Sequence, residues 1–296
     1  GTGPHRPGDD AGARAGLAAG GAQRYGSCMI GRAVGFGFAT ARDAVARVLI
    51  AVGATPNALT LVGMALTLAA GACYALGGGS DFGRSLDPSR PATLYPLLAL
   101  ALLVAASGCD MLDGAVARIG GKGSAFGAFL DSTMDRFSDF AIFAGMALFY
   151  ARPGSANLTY VFLAMLAFAN AFVISYARAR AEDLIESCSV GYWQRGERSA
   201  AILIATAAHN LPALLIQQAV FPLFTVLRRV LHTRAVLAGR TTLAHPRDGR
   251  WWQKIQLWRW PRMSPPYDVI TGLNILWLIV LPVPAGDPLA RLLGAA

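Results

Sequence analysis

Hydrophobic residues arrive in long blocks separated by short polar stretches. One block begins at Thr55-Pro56-Asn57 and continues to about Leu76, a second begins near Leu94, a third runs from about Ser124 to Tyr150, and a fourth from about Leu158 to Arg178. A helix needs ~20 mainly apolar residues to cross a bilayer, and proline in the first turn suits a helix start. Between residues 32 and 52 the pattern changes: Val34, Phe38, Val45, Val48 and Leu49 recur at helical spacing among Arg32, Arg42, Asp43 and Arg47. That spacing predicts an amphipathic juxtamembrane helix lying on the cytoplasmic membrane surface, with packing against protein as the alternative. Residues 1–31 precede it as a flexible tail rich in Gly, Ala and Arg; no apolar core follows its charges, so it does not read as a signal peptide. The pattern as a whole predicts an all-α, multi-pass integral membrane protein.

Composition agrees, with 54% hydrophobic and 15% charged residues and a mean hydropathy of +0.45. The net charge of +9 changes the picture more. In a membrane protein, surplus Arg and Lys mark cytoplasmic loops and contacts with anionic lipids, and nucleic acid is not an expected partner. Cys28, Cys73, Cys109 and Cys188 show no metal-binding spacing and read as isolated thiols.

The candidate chemistry lies between Asp110 and Asp135. Asp110 and Asp113 are spaced to share one helix face, as are Asp131 and Asp135 on a second helix, and Gly120, Gly121 and Gly123 break the chain between them. Paired carboxylates are silent on solvated helices. Here the flanks are the apolar stretches Leu94–Ala106 and Phe137–Tyr150, and an ionisable residue at membrane depth marks a functional site. Four crowded carboxylates repel unless a cation lies among them. An all-oxygen donor set points to Mg²⁺ or Mn²⁺ and not to zinc, and so to phosphate chemistry.

The full spacing is Asp110-x2-Asp113-Gly114-x2-Ala117-Arg118-x8-Gly127-x3-Asp131-x3-Asp135. It resembles the signature of the CDP-alcohol phosphotransferase family of integral membrane enzymes. The resemblance implies a core of six transmembrane helices, a homodimer, and transfer of a substituted phosphate from a CDP-linked donor to an alcohol with release of CMP. It implies that Asp110, Asp113 and Asp131 hold two metal ions, Mg²⁺ or Mn²⁺, with Asp135 contributing to the second. Asp135 is also the candidate general base for the acceptor hydroxyl. Arg118 is expected on donor phosphate, and Asn57 and Thr60, at the Pro-Asn-x-x-Thr start of the first block, beside the nucleotide. Gly114, Ala117 and Gly127 either leave room for that nucleotide or serve helix packing. The expected donor is CDP-diacylglycerol.

On the acceptor side, Ser175 and Arg178 lie about one turn apart at the end of the fourth block, and Arg195 and Arg198 have the spacing to grip one phosphate. Flanking positive charge is the alternative use of these arginines. Ser175, Arg178, Arg180, Arg195 and Arg198 together resemble the segments that line the inositol-phosphate pocket in the phosphatidylinositol-phosphate synthases of the family. A soluble phosphorylated polyol, inositol phosphate first and glycerol 3-phosphate second, is therefore the expected acceptor. A non-catalytic membrane scaffold or a transporter is the remote alternative.

Residues 199–227 pose a topology question. As one span they would put Arg228, Arg229, Arg234 and the basic residues after them outside, against the positive-inside rule. A hairpin turning at His209-Asn210-Leu211-Pro212 keeps them cytoplasmic, completes the six helices and leaves the active site facing the cytoplasm. The recognised core then covers residues 32–234. Residues 235–296 form a basic, Trp-rich interfacial segment, with Trp251, Trp252, Trp258 and Trp260 between Lys254 and Arg259, followed by an extra hydrophobic helix from about Tyr267 to Val283.

Overall fold

The computed structural model describes residues 29–78, 93–240, 264–280 and 286–294, together with the single positions 251, 256, 260 and 262. Residues 1–28 of the expected tail, residues 79–92 between the first two apolar blocks and most of the Trp-rich segment lie outside the described residues. The chain divides into two units, residues 1–38 and 39–296. Of the first, only the opening turns of α1 (Met29–Ala51) are described.

Among the described residues the secondary structure is helical throughout. After α1 come α2 (Pro56–Cys73), extended by a wider turn at Tyr74–Gly78, then α3 (Tyr95–Ile119), α4 (Ala125–Ala151), α5 (Leu158–Glu182), α6 (Arg195–Ala207), α7 (Leu211–Val220), α8 (Pro222–Leu237), α9 (Pro265–Val280) and α10 (Pro288–Leu292). Among the described residues, four stretches are long and apolar enough to cross a membrane: Pro56–Gly77, Tyr95–Ile119, Leu158–Glu182 and Leu211–Leu237. α4 is as long, but Asp131, Asp135, Arg136 and Asp139 make its first half polar. The helix breaks at Ala208–Asn210, within the stretch expected to turn a hairpin, and the flanking stretches are unequal: 13 residues in α6 against 27 in Leu211–Leu237.

Local chemistry sets the helix ends. Thr55, Ser124 and Asn157 cap α2, α4 and α5 by accepting from the backbone N–H groups of Ala58, Gly127 and Tyr160. Asn157 is buried, and its amide donates to the Gly286 carbonyl, so the apparent glycosylation sequence Asn157-Leu158-Thr159 serves a helix start. α3 ends with Gly121 at φ 60°, and the Lys122 N–H returns to the Ala117 carbonyl, a left-handed closure that glycine adopts without strain. His209, at φ 52°, plays the same part after α6, where the Asn210 N–H bonds the Ala205 carbonyl.

α2 packs on α3 and α4, α4 on α5, and α5 on α7 and α8; α6 lies beside α3, and α9 against α6 and α7. Small residues let α2 and α4 touch backbone to backbone: a Cβ on Gly145 would fall on the Gly71 carbonyl, and one on Gly71 on the Ala141 carbonyl. Pro222 cannot donate to the Gln218 carbonyl one turn earlier. Asn170 on α5 supplies the missing donor at 3.2 Å, and bonds the Ala219 carbonyl at 2.7 Å.

In α1 the inward stripe is Ala46, Leu49 and Ile50, packed on Leu59, Leu112, Ala115 and Val116. Val45 and Val48, two residues expected on the apolar face, are exposed. The described free thiols are Cys73, Cys109 and Cys188, and Cys28 lies outside the described residues. The extra hydrophobic helix expected from about Tyr267 is α9, Pro265–Val280, which packs into the helical core through Leu278, with Tyr267, Ile270 and Trp277 beside it.

Candidate active site

The tight α3–α4 link folds the two acidic helices back on each other. Carboxylate oxygens of Asp110, Asp113 and Asp131 lie within 4.8 Å of one another. Asp113 is buried, and its Oδ2 accepts from the Thr60 hydroxyl of α2 at 2.8 Å. An all-carboxylate set this close fits a hard divalent cation, so these three side chains are the ones that would hold Mg²⁺ or Mn²⁺.

Asp135, one turn after Asp131, stands outside that group of three. Its partner is Arg195, the first residue of α6, whose guanidinium bridges Asp110 Oδ1 at 2.7 Å and Asp135 Oδ1 at 2.5 Å. One cation thus ties an acid of α3 to an acid of α4. Arg136 approaches both Asp135 and Asp139 at 3.8 Å. Asp139, a further turn along α4, pairs with the buried Arg198 at 3.1 Å.

Two open cavities adjoin these groups. The first, about 380 Å³, is lined by all three clustered acids with Asp135, Thr60 and Arg195. The second, about 610 Å³, is lined by Ser175, Arg178, Arg195, Arg198, Arg229 and Arg262, with Asp135 at its edge. Asp135, Arg195 and Gly196 belong to both linings.

The remaining expected residues fall as follows. Arg118 folds back over Gly114, where its Nη1 stands 3.3 Å from the position a Cβ would take. The Asn57 side-chain oxygen is 3.2 Å from the equivalent point at Gly127, so both glycines leave space that a neighbouring polar side chain approaches. Ala117 is half-buried, and its carbonyl closes the α3 end. Ser175 donates to the Ala171 carbonyl, and Arg178 pairs with Glu182 at 2.9 Å. Arg180 is absent from the arginine-rich lining and pairs with Asp183 on the exposed side.

Four charged residues of this region escaped the reading of the sequence. Asp139 continues the four-residue ladder of Asp131 and Asp135, and that spacing was a usable signal. Arg136 had none beyond its place in the same apolar block. Arg229 looked like one flanking charge among many, yet it is buried and donates to the carbonyls of Val190 and Ile174. Arg262 is separated from the site by sequence alone. Just before Arg195, Trp193 is buried and stacked on Phe221, and Gln194 lines the larger cavity.

The sequence profile of the CDP-alcohol phosphatidyltransferase family matches residues 53–241. The chain belongs to this family. An archaetidylinositol phosphate synthase of Methanothermobacter thermautotrophicus is 36% identical over 181 residues, which are 59% of this chain and 80% of that one. A phosphatidylinositol phosphate synthase of Mycobacterium marinum is 33% identical over 175 residues, 59% of this chain and 68% of that one. Among solved structures, phosphatidylinositol phosphate synthase of Mycobacterium tuberculosis with CDP-DAG bound superposes with a TM-score of 0.54 at 27% identity, over 65% of this chain and 92% of that one. The same enzyme in complex with manganese and citrate gives 0.54 at 29%, over 65% and 88%. Family membership and the four long apolar helices make the chain an integral membrane protein. The profile match ends before Arg262 and α9.

Proposed function

We propose that this family member transfers the phosphatidyl group of CDP-diacylglycerol to inositol phosphate and releases CMP. The observation that carries the reading is the junction at Arg195, where a three-carboxylate cluster meets an arginine-lined cavity. The names of the relatives and the CDP-DAG-bound neighbour support it.

Asp110, Asp113 and Asp131 would hold the divalent ions, which would offset charge on the pyrophosphate and on departing CMP. Arg118, Asn57, Thr60 and the space at Gly114, Ala117 and Gly127 serve the nucleotide end. Ser175, Arg178, Arg195 and Arg198 bind the acceptor phosphate by charge-assisted bonds; Arg180, paired outside the lining, is the weakest member of this set. Asp135 borders both cavities, which suits it to take the proton as the acceptor oxygen bonds the phosphatidyl phosphorus. The bond from that phosphorus to the CMP oxygen breaks, and CMP leaves with the electron pair. A carboxylate paired with arginine is a weak base, so proton loss accompanies attack.

We also read α2 to α6 and the continuous α7–α8 pair as the six crossing helices. The site faces the cytoplasm, α1 lies along an anionic membrane surface, and the enzyme works as a homodimer.

The test offers radiolabelled inositol phosphate, inositol and glycerol 3-phosphate one at a time with CDP-diacylglycerol in liposomes. Labelled lipid and stoichiometric CMP are expected from inositol phosphate alone, and are lost on chelation. Labelling from glycerol 3-phosphate instead would replace the acceptor. No CMP from any alcohol would remove the transferase reading.

A further inference from the structure

Arg262 lies beyond the stretch that the family profile matches, yet it reaches the functional site. Its guanidinium grips Glu197 with two bonds, Nε to Oε1 at 2.8 Å and Nη2 to Oε2 at 2.9 Å. The Tyr267 hydroxyl, from the first turn of α9, donates to the same Oε1 at 2.6 Å. Glu197 belongs to the first turn of α6, between Arg195 and Arg198. Two residues along a helix is more than half a turn, so Glu197 leaves α6 on the side turned away from Arg195. Arg195 reaches Asp110 and Asp135, and Arg198 reaches Asp139. The first turn of α6 is therefore held from two sides: by the acids of α3 and α4, and by the C-terminal segment.

Further bonds fix that segment. Tyr192, just before α6, donates to Thr271 of α9 at 3.1 Å, and its ring lies 5.3 Å from that of Tyr267. Asn210, just after α6, donates to the Leu278 carbonyl at 2.8 Å. α9 thus spans α6 from end to end.

We propose that Arg262 and Tyr267 are positioning residues for acceptor binding: through Glu197 they hold the first turn of α6 so that Arg195 and Arg198 present their charge to the acceptor phosphate. The proposal rests on the transferase reading above. It gives the segment beyond the family match a task in the shared reaction, namely to set affinity for the phosphorylated acceptor.

The test uses the full chain in liposomes with R262A, R262K, E197Q and Y267F. Wild-type CMP release with each acceptor first checks the transferase reading, and the ratio of variant to wild type then checks the clamp with whichever acceptor supports release. R262A and E197Q are expected to raise KM for the acceptor about tenfold, the loss of a charge-assisted bond. Both kcat and KM for CDP-diacylglycerol should stay within about twofold. R262K keeps the charge without the two-pronged grip and should fall between. Amide exchange in the first two turns of α6 should quicken in the same order, a readout independent of turnover. Should R262A fail to fold, Y267F, which removes one oxygen, carries the test. Unchanged acceptor KM with unchanged exchange in α6, or equal losses in acceptor and donor constants, would overturn the proposal.

Discussion

Asp113 draws its orientation from a neighbour on another helix. The Thr60 hydroxyl bonds Asp113 Oδ2 and also lies 3.1 Å from the Pro56 carbonyl, so its one proton is shared. Partners of this kind orient a metal-binding side chain and typically change affinity ~10–100-fold when removed. Thr60→Val should therefore weaken Mn²⁺ binding by about tenfold, whereas Asp113→Asn should abolish it; calorimetric titration of the purified protein separates the two. Asp135→Asn is expected to leave CDP-diacylglycerol binding in place and to stop CMP release, and retained turnover would refute its role as base. Asp139 offers a different lesson. It forms a buried pair with Arg198, and removing one partner of such a pair typically costs ~3–5 kcal/mol. The exposed Arg180–Asp183 pair contributes under ~1 kcal/mol. Asp139→Ala should thus lower the unfolding midpoint in detergent strongly, and Asp183→Ala hardly at all.

At the scale of helices, the acids meet because two kinds of glycine act at two kinds of place. Gly121 turns the chain between α3 and α4 at φ 60°, and a Cβ there would meet nothing within 4 Å. Gly145 lies where α4 crosses α2, and a Cβ there would strike the Gly71 carbonyl. The same substitution therefore acts through different physics. Gly121→Ala should cost about 1–2 kcal/mol through backbone strain alone. Gly145→Ala must push two helices apart, an overpacking that typically costs ~1–3 kcal/mol, and should also shift α4 against Asp113 and Thr60. Unfolding in mixed micelles with Mn²⁺ titration checks the pair: Gly121→Ala should lose stability with little change in metal affinity, and Gly145→Ala should lose both. The sequence made the helices legible for the same reason. Long apolar blocks bounded by Thr55, Ser124 and Asn157 gave the starts of α2, α4 and α5 to within a residue or two, because capping is local. The inward stripe of α1 was less legible, since Val45 and Ala46 both suit an apolar face and only the neighbouring α3 selects Ala46.

Over the whole molecule, the C-terminal stretch is stitched to the core at more than one place. Asp287 caps its own α10 through the Ala290 N–H and also accepts from the Leu158 and Thr159 backbone and the Thr159 hydroxyl at the start of α5. Slight desolvation opposes ionisation of this carboxyl, but the Thr159 hydroxyl and these backbone donors outweigh it and hold it down at about 2. A depressed carboxylate contributes stability above its ordinary value near ~4, and that contribution is lost as pH falls through the folded-state value. Unfolding midpoints measured from pH ~5 to ~2 should fall more steeply in the native protein than in Asp287→Asn, which has no such charge to lose. Parallel curves would show that Asp287 contributes nothing by its charge.

The amino-acid sequence determined the helical blocks, their caps and the spacing that lines up Asp110 with Asp113 and Asp131 with Asp135. These are matters of periodicity and neighbours within a turn or two, and they suffice to point to an all-oxygen site for a hard divalent cation. The convergence of Asp110, Asp113 and Asp131, the bridging of Asp110 and Asp135 by Arg195, and the arrival of Arg229 and Arg262 beside the arginine cavity were decided only in three dimensions. A side chain's spacing fixes its direction from its own helix, but its partner is whatever group another helix sets opposite, and only the packing of the helices chooses that.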